Sequence, residues 1–410
     1  MARGVPGVSV AEHLERVLSL ASPQVERGVA LDLAAGRVLA SAAAAALPVP
    51  PFDNSAMDGF AVRAADLPGE GPWTLPVAGD IPAGSPPLDC PPGNAVRVMT
   101  GAPVPPGEGI IVVPVEQTDI PAGPVPLPRL ITIHRADPAR SHVRPRGANL
   151  AEGAVAAAEG TVLDAGAMAA LVSAGVRSVD VYDRPRVTVV STGDELVPWP
   201  RVPGAAQLPD SNLPMLAGLA AANGAGEVHT TRAGDAPGSL AALLDDAAET
   251  SDVILTSGGI SAGAFDVVRA AVEPTGRAWF GGVVQRPGGP QGAGRWNGTA
   301  LLCLPGNPVA AWVSFHLYAA PLLRALRCGR PAAAPHLRAR AGEGFRPPRS
   351  PSPQVVPVRL DFSGAYPVAT PFSRSAHGSS DVASLTGVSG YVVLRRGPVP
   401  DSLPVYLTES

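Results

Sequence analysis

Asp252-Val253-Ile254-Leu255-Thr256-Ser257-Gly258-Gly259-Ile260-Ser261-Ala262-Gly263-Ala264-Phe265-Asp266 is the stretch that decides the fold. It opens as a short apolar run without alternation, the pattern of a strand buried on both faces. The side chains then shrink to Ser257, Gly258, Gly259, Ser261 and Gly263, and helical spacing resumes at Asp266 with Val267, Val268, Ala271 and Val272. Asp266 is placed to cap that helix. A glycine-rich turn from a parallel strand into a helix presents backbone N–H groups to an anion, because no Cβ blocks the approach. Alone, the stretch reads equally well as a tight turn with a capping Asp.

The neighbouring segments break the tie. Strands are expected at 187–190, 227–232, 253–255 and 300–304, with one more before Gln285. Helices are expected at 212–223, 237–249, 266–273 and 309–327, the last started by Pro308 and kinked at Pro321. Such alternation implies a parallel sheet with helices on both faces, a doubly wound α/β domain. Ligands of these sheets lie beyond the carboxyl ends of the strands. Three polar turns fall there, at 192–195, 257–266 and 305–308.

Upstream, 9–40 carries helical spacing, with Ser9 and Glu12 as a capping box. From about 60 to 145 the chain is dense in Pro and Gly, with β-like runs at 73–77, 95–99, 110–115 and 130–134: a small β-rich lobe. A helix is expected at 164–174, with Met168, Leu171 and Val172 on its apolar face. Thr100, at the end of a strand, reads as a turn-closing hydroxyl or as a ligand contact. Downstream of Cys328, β-like runs at 354–360, 391–395 and 405–407 make a separate small β domain at 331–410, and His377 reads as a surface turn residue.

The chain has 410 residues, too many for one core. A formal net charge of -4 leaves no basic footprint, so neither nucleic acid nor an anionic membrane surface is expected as a partner. Every basic residue is Arg. The three cysteines, Cys90, Cys303 and Cys328, have no zinc spacing and suit a reducing compartment. No run of eighteen apolar residues and no signal-peptide core are visible, so the expected location is cytoplasmic.

Two acids, Glu195 and Asp266, stand at neighbouring strand ends beside glycine turns. Amides suit an oxyanion or phosphate, and paired carboxylates suit Mg²⁺, which keeps waters and bridges to substrate phosphates. No Ser-His-Asp set, zinc spacing, GxGxxG or P-loop competes. The residues by themselves reach Mg²⁺-assisted chemistry on a phosphorylated small molecule, and no further.

Five motifs in order carry a family resemblance: Pro51-Phe52-Asp53-Asn54-Ser55-Ala56-Met57-Asp58-Gly59, Met99-Thr100-Gly101-Ala102-Pro103, Ser191-Thr192-Gly193-Asp194-Glu195-Leu196, Ser257-Gly258-Gly259-Ile260-Ser261 with Asp266, and Leu304-Pro305-Gly306-Asn307-Pro308. The chain resembles the molybdopterin molybdenumtransferase (MoeA) family, which includes the E domain of gephyrin. The resemblance implies an elongated multidomain α/β plus β protomer. Its parts would be an extended first domain (1–53 and 144–183), a β-rich insertion lobe (54–143), a MogA-like α/β domain (184–330) and a C-terminal β-barrel (331–410). It further implies a homodimer in which lobe and first domain of one subunit face the α/β domain of the other. The implied reaction is Mg²⁺-dependent insertion of molybdate into adenylylated molybdopterin, with release of AMP. By position, Glu195 and Asp266 would serve the metal and anhydride cleavage, and Asp58 and Thr100 the cross-dimer contribution. Ser257, Gly258, Gly259, Ser261, Arg286, Pro305, Gly306, Asn307, Pro308, Arg359 and Ser379 would line the substrate pocket. Family charges are replaced at Asn149, Gly234, Gly282 and Gly289; the alternative is therefore a weakened paralogue that binds molybdopterin or acts as a scaffold.

Overall fold

The computed structural model describes residues 7–234, 238–260, 266–329, 336–373 and 380–408. The chain divides into two compact units, one of residues 27–180 and one of residues 1–26 with 181–410.

The second unit is built on a six-stranded sheet in the order Glu227–Ala233, Arg186–Thr192, Val253–Ser257, Thr299–Leu304, Pro290–Trp296, Ala278–Gly282. The first four strands run parallel, as the alternation implies. Pro290–Trp296 runs against them and pairs antiparallel with both Thr299–Leu304 and Ala278–Gly282, which corrects the all-parallel expectation. Pro290–Trp296 is a strand beyond those expected from the sequence. It survives because Phe280 lies opposite Gly292: a Cβ there would come within 2.6 Å of the Phe280 ring, so the ring replaces the missing side chain as packing.

Successive strand residues point to opposite faces, and both faces are dry. Val187, Val189, Leu255 and Leu302 pack with Leu216, Phe315 and Tyr318 on one side. Val190, Ile254, Leu301 and Cys303 pack with Leu240, Leu244 and Val268 on the other. The helix at the chain start runs only over Val10–Leu18, closed by the expected capping box, with Ser9 N–H donating to Glu12 Oε2 at 2.6 Å. Helical spacing beyond it does not hold; Pro23 follows the helix, and Val25–Ala30 is extended.

The helix Pro308–Cys328 is long and apolar enough to cross a membrane, yet it is enclosed on nearly all sides by the protein. Its break is not a simple proline kink. A π-helical segment, Phe315–Ala319, precedes Pro321. The wider turn absorbs the missing N–H and the ring clash with the carbonyl one turn back. The unit ends in a closed barrel of His336–Ala341, Val368–Pro371, Gln354–Asp361, Gly390–Leu394 and Ser402–Leu407.

The other unit holds a five-stranded sheet in the order Ile110–Pro114, Gly59–Arg63, Ala95–Val98, Trp73–Ile81, Leu130–Ile133. Phe60 and Val62 pack on one face with Ile111 and Ile131, while Ala61 packs on the other with Ile81 and Val96. Its helix, Ala165–Ser173, is capped by Asp164, whose Oδ1 accepts from Ala167 N–H at 2.8 Å. Leu171 is buried, but Val172, expected on the apolar face, is exposed.

Candidate active site

At the carboxyl ends of the parallel strands the three polar turns meet around one cavity of about 970 Å³. Glu195 and Asp266 both line it, as do Ser257, Gly258, Gly259, Pro305, Gly306, Asn307 and Pro308. Ser261 and Ser379 lie outside the described residues, as does His377.

The turns are locked together by a residue that sequence reading took only for a helix start. Asn212 Nδ2 donates to Ser257 Oγ at 2.9 Å and to the Gly306 carbonyl at 2.6 Å. Ser257 Oγ in turn donates to the Pro305 carbonyl at 3.3 Å. Ser257 therefore serves as a buried staple. Asn212 Oδ1 is buried and has no partner among the described residues.

Asp210 is a second residue that sequence reading missed. It is buried, its Oδ2 accepts from Ser191 Oγ at 2.5 Å and lies 3.6 Å from Arg232 Nε, and its Oδ1 accepts from Leu213 N–H at 3.1 Å. From one residue before the cap position Ser211, it thus satisfies a first-turn N–H of the helix Asn212–Ala222. Asp followed three residues on by the first helical turn is a capping signal visible in the sequence.

Close approach makes the glycines obligatory. A Cβ on Gly258 (φ +97°) would sit 3.0 Å from both Thr192 O and Oγ1, and one on Gly259 (φ +63°) 3.0 Å from Val268 N. A Cβ on Gly193 would sit 2.6 Å from Glu195 Oε2, so Gly193 is the floor on which that carboxylate rests. The expected row of open amides is shorter than anticipated: Gly258 N–H donates to the Leu304 carbonyl at 3.1 Å. Positive potential comes also from the helices Asn212–Ala222, Val267–Val272 and Pro308–Ser314, which all begin on the cavity wall.

Asp266 occupies the cap position of Val267–Val272 but makes no capping bond, which corrects the sequence expectation; it stands on the cavity wall instead. No Arg or His is among the described lining residues. A phosphorylated ligand entering beside carboxylates needs a cation to offset them. Among the described residues no group of three potential ligands forms a metal cage. Two wall carboxylates, Glu195 and Asp266, with ligand phosphates completing the shell, fit Mg²⁺ binding, which rarely uses an all-protein cage.

Two expected pocket residues are elsewhere. Arg286 is exposed and lines a different cleft. Arg359 donates to the Phe372 carbonyl at 2.9 Å, the Thr386 carbonyl at 3.0 Å and the Ser384 carbonyl at 2.5 Å, and lines neither cleft. Each of its three guanidinium nitrogens holds a barrel-loop carbonyl.

In the 27–180 unit the other two motifs are laced together. Ser55 N–H donates to the Ala102 carbonyl at 2.9 Å, and Gly101 N–H to the Ser55 carbonyl at 2.8 Å. Asp58 Oδ1 accepts from Thr100 N–H at 2.6 Å and from Thr100 Oγ1 at 2.8 Å. The backbone donor first, and the hydroxyl second, hold the exposed Asp58 carboxyl below its ordinary range. A depressed carboxylate contributes stability above its unfolded value, and the contribution is lost as pH falls through the folded one. Thr100→Val removes only the hydroxyl and is expected to move the Asp58 titration part of the way up, followed by carboxyl NMR. An unmoved midpoint would show that the hydroxyl contributes nothing.

Comparison with known proteins follows the same outline. Residues 8–175 match the model of the MoeA N-terminal region (domain I and II), and residues 188–325 that of a probable molybdopterin binding domain. The chain is 41% identical over 331 residues to molybdopterin molybdenumtransferase 2 of Mycobacterium tuberculosis (strain CDC 1551 / Oshkosh), covering 77% of this chain and 79% of that one. It is 35% identical over 318 residues to the molybdopterin molybdenumtransferase of Nostoc sp., covering 76% and 71%. The crystal structure of the molybdopterin biosynthesis moeA protein from Pyrococcus horikoshii matches with a TM-score of 0.79 at 29% identity, over 99% of this chain and 100% of that one. The chain belongs to the molybdopterin molybdenumtransferase (MoeA) family of molybdenum cofactor biosynthesis.

Proposed function

We propose that this chain transfers molybdenum into adenylylated molybdopterin, taking molybdate as the metal source and releasing AMP, as a cytoplasmic Mg²⁺-dependent homodimer. The observation that carries the reading is the convergence of Glu195 and Asp266 on one cavity with the Gly258-Gly259 and 305–308 turns. Glu195 and Asp266 would hold Mg²⁺, which when bound neutralises charge building on the cleaved phosphoanhydride. The helix starts and the remaining turn amides orient the phosphates, and the buried walls around Ser257 and Asn212 keep the reacting groups in register. Purified protein given adenylylated molybdopterin, molybdate and Mg²⁺ is expected to release AMP; no molybdate-dependent release would sink the reading.

The family resemblance adds that Asp58 and Thr100 act on the partner subunit's cavity. Mixing Asp58→Asn with Asp266→Asn protein is then expected to restore turnover, because each heterodimer holds one intact composite site. Restoration absent after verified subunit exchange would place all catalytic groups within one subunit.

A weakened, binding-only paralogue is favoured by one feature. Gly282 faces open space and Gly289 has only ordinary contacts, so both could carry the cations that relatives are expected to have there. If cation loss limits this chain, Gly282→Lys with Gly289→Lys raises turnover about tenfold. An unchanged rate would dismiss the cation deficit as the cause.

A further inference from the structure

A second cleft, of about 470 Å³, opens between the barrel and the turn at Arg286-Pro287. Arg286, Arg346 and Arg349 line it, with Phe345 and Phe372, and no acidic residue is among its described lining residues. None of the three arginines forms an ion pair with a described residue. Three arginines without an acidic partner among the described residues gather positive potential around one hollow, which favours an anion there.

The frame of the cleft is held rigid. Arg286 N–H donates to the Pro353 carbonyl at 2.9 Å, and Val355 N–H donates to the Arg286 carbonyl at 2.8 Å, so its backbone is sewn into the barrel. Phe372 N–H donates to the Pro357 carbonyl at 2.9 Å, and Arg359 grips the Phe372 carbonyl. Thus the Arg359 side chain, absent from the first cavity, sets the aromatic wall of the second. Pro287 lines both hollows and is the partition between them.

We propose that this cleft is a separate binding site for a nucleoside monophosphate. Guanidinium forks match phosphate oxygens two at a time, and half-buried phenyl faces at Phe345 and Phe372 receive a flat heteroaromatic ring. The volume lies within the range of small-ligand pockets. A phosphorylated pterin shares this chemistry and is the competing source of the same contacts.

The test is photolabelling of the full chain with azido-AMP, followed by peptide mapping. Label is expected on peptides spanning 344–357 and 371–373. AMP should compete about tenfold better than adenosine, which lacks the phosphate. Arg346→Ala with Arg349→Ala, both exposed side chains, is expected to cut this label about tenfold or more. Molybdopterin displacing the label more strongly than AMP would assign the site to the pterin and overturn the nucleotide proposal. Label confined to the 253–260 and 305–310 peptides, equal competition by adenosine, or label surviving in the double variant would each overturn the site. The readout is binding alone, so absence of molybdenum transfer would leave its outcome unaffected.

Discussion

Asp266→Asn is expected to lower AMP release from adenylylated molybdopterin by about a hundredfold or more while leaving the fold intact. The substitution keeps the shape of the side chain and removes its charge, so the wall of the cavity stays and its cation affinity falls. Asp266 makes no side-chain capping bond to Val267–Val272, so the substitution removes no cap. Glu195→Gln is expected to behave alike, because its carboxylate rests on Gly193 with no helix to support. The measurement is turnover at saturating molybdate across a Mg²⁺ titration. A rise in the Mg²⁺ requirement, with an unchanged thermal midpoint, is the signature of a metal-holding carboxylate. Wild-type turnover in both variants would remove these acids from the chemistry.

Asp210→Ala is expected to have the largest effect on stability, about 2–4 kcal/mol, because it removes a buried carboxylate that three groups use, although Arg232 keeps its bond to the Leu196 carbonyl. Ser191 Oγ and Leu213 N–H also lose their acceptor. Asp210→Asn keeps one acceptor oxygen and is expected to cost less, about 1–3 kcal/mol. Urea unfolding monitored in the far ultraviolet distinguishes the two: the midpoint should fall in the order wild type, Asn, Ala, with a constant slope. An alanine variant as stable as wild type would mean that solvent replaces every contact of Asp210.

Why these two residues were read so differently is physical. Asp266 was visible because it follows a run of small residues at a strand end, where local chain geometry alone requires a turn. Its side chain makes no cap bond, since a carboxylate at a helix start can turn inward or outward and only the surrounding walls decide. Asn212 reads locally as an ordinary helix start, and Asp210 carries no reading of its own. Asn212 matters because it bonds to Ser257 and Gly306, 45 and 94 residues away, and such partners have no local signature. The Pro290–Trp296 strand was hidden for the same reason: Gly292 reads as flexible until Phe280 is seen to cover it. Arg286 and Arg359 were placed by motif position, yet a long side chain reaches whichever carbonyl or cleft the barrel loops bring near it.

Residue order alone is enough for the α/β alternation, the two β-rich regions, and the three turns at the carboxyl edge of the sheet. These follow from side-chain period and glycine sterics, which act over a few residues. Tertiary structure decided which hydroxyls and amides remain available in the cavity, where the arginines go, and which acid holds the walls together. Those outcomes depend on contacts between segments far apart in the chain, where burial and hydrogen-bond satisfaction select one partner among many that local chemistry allows.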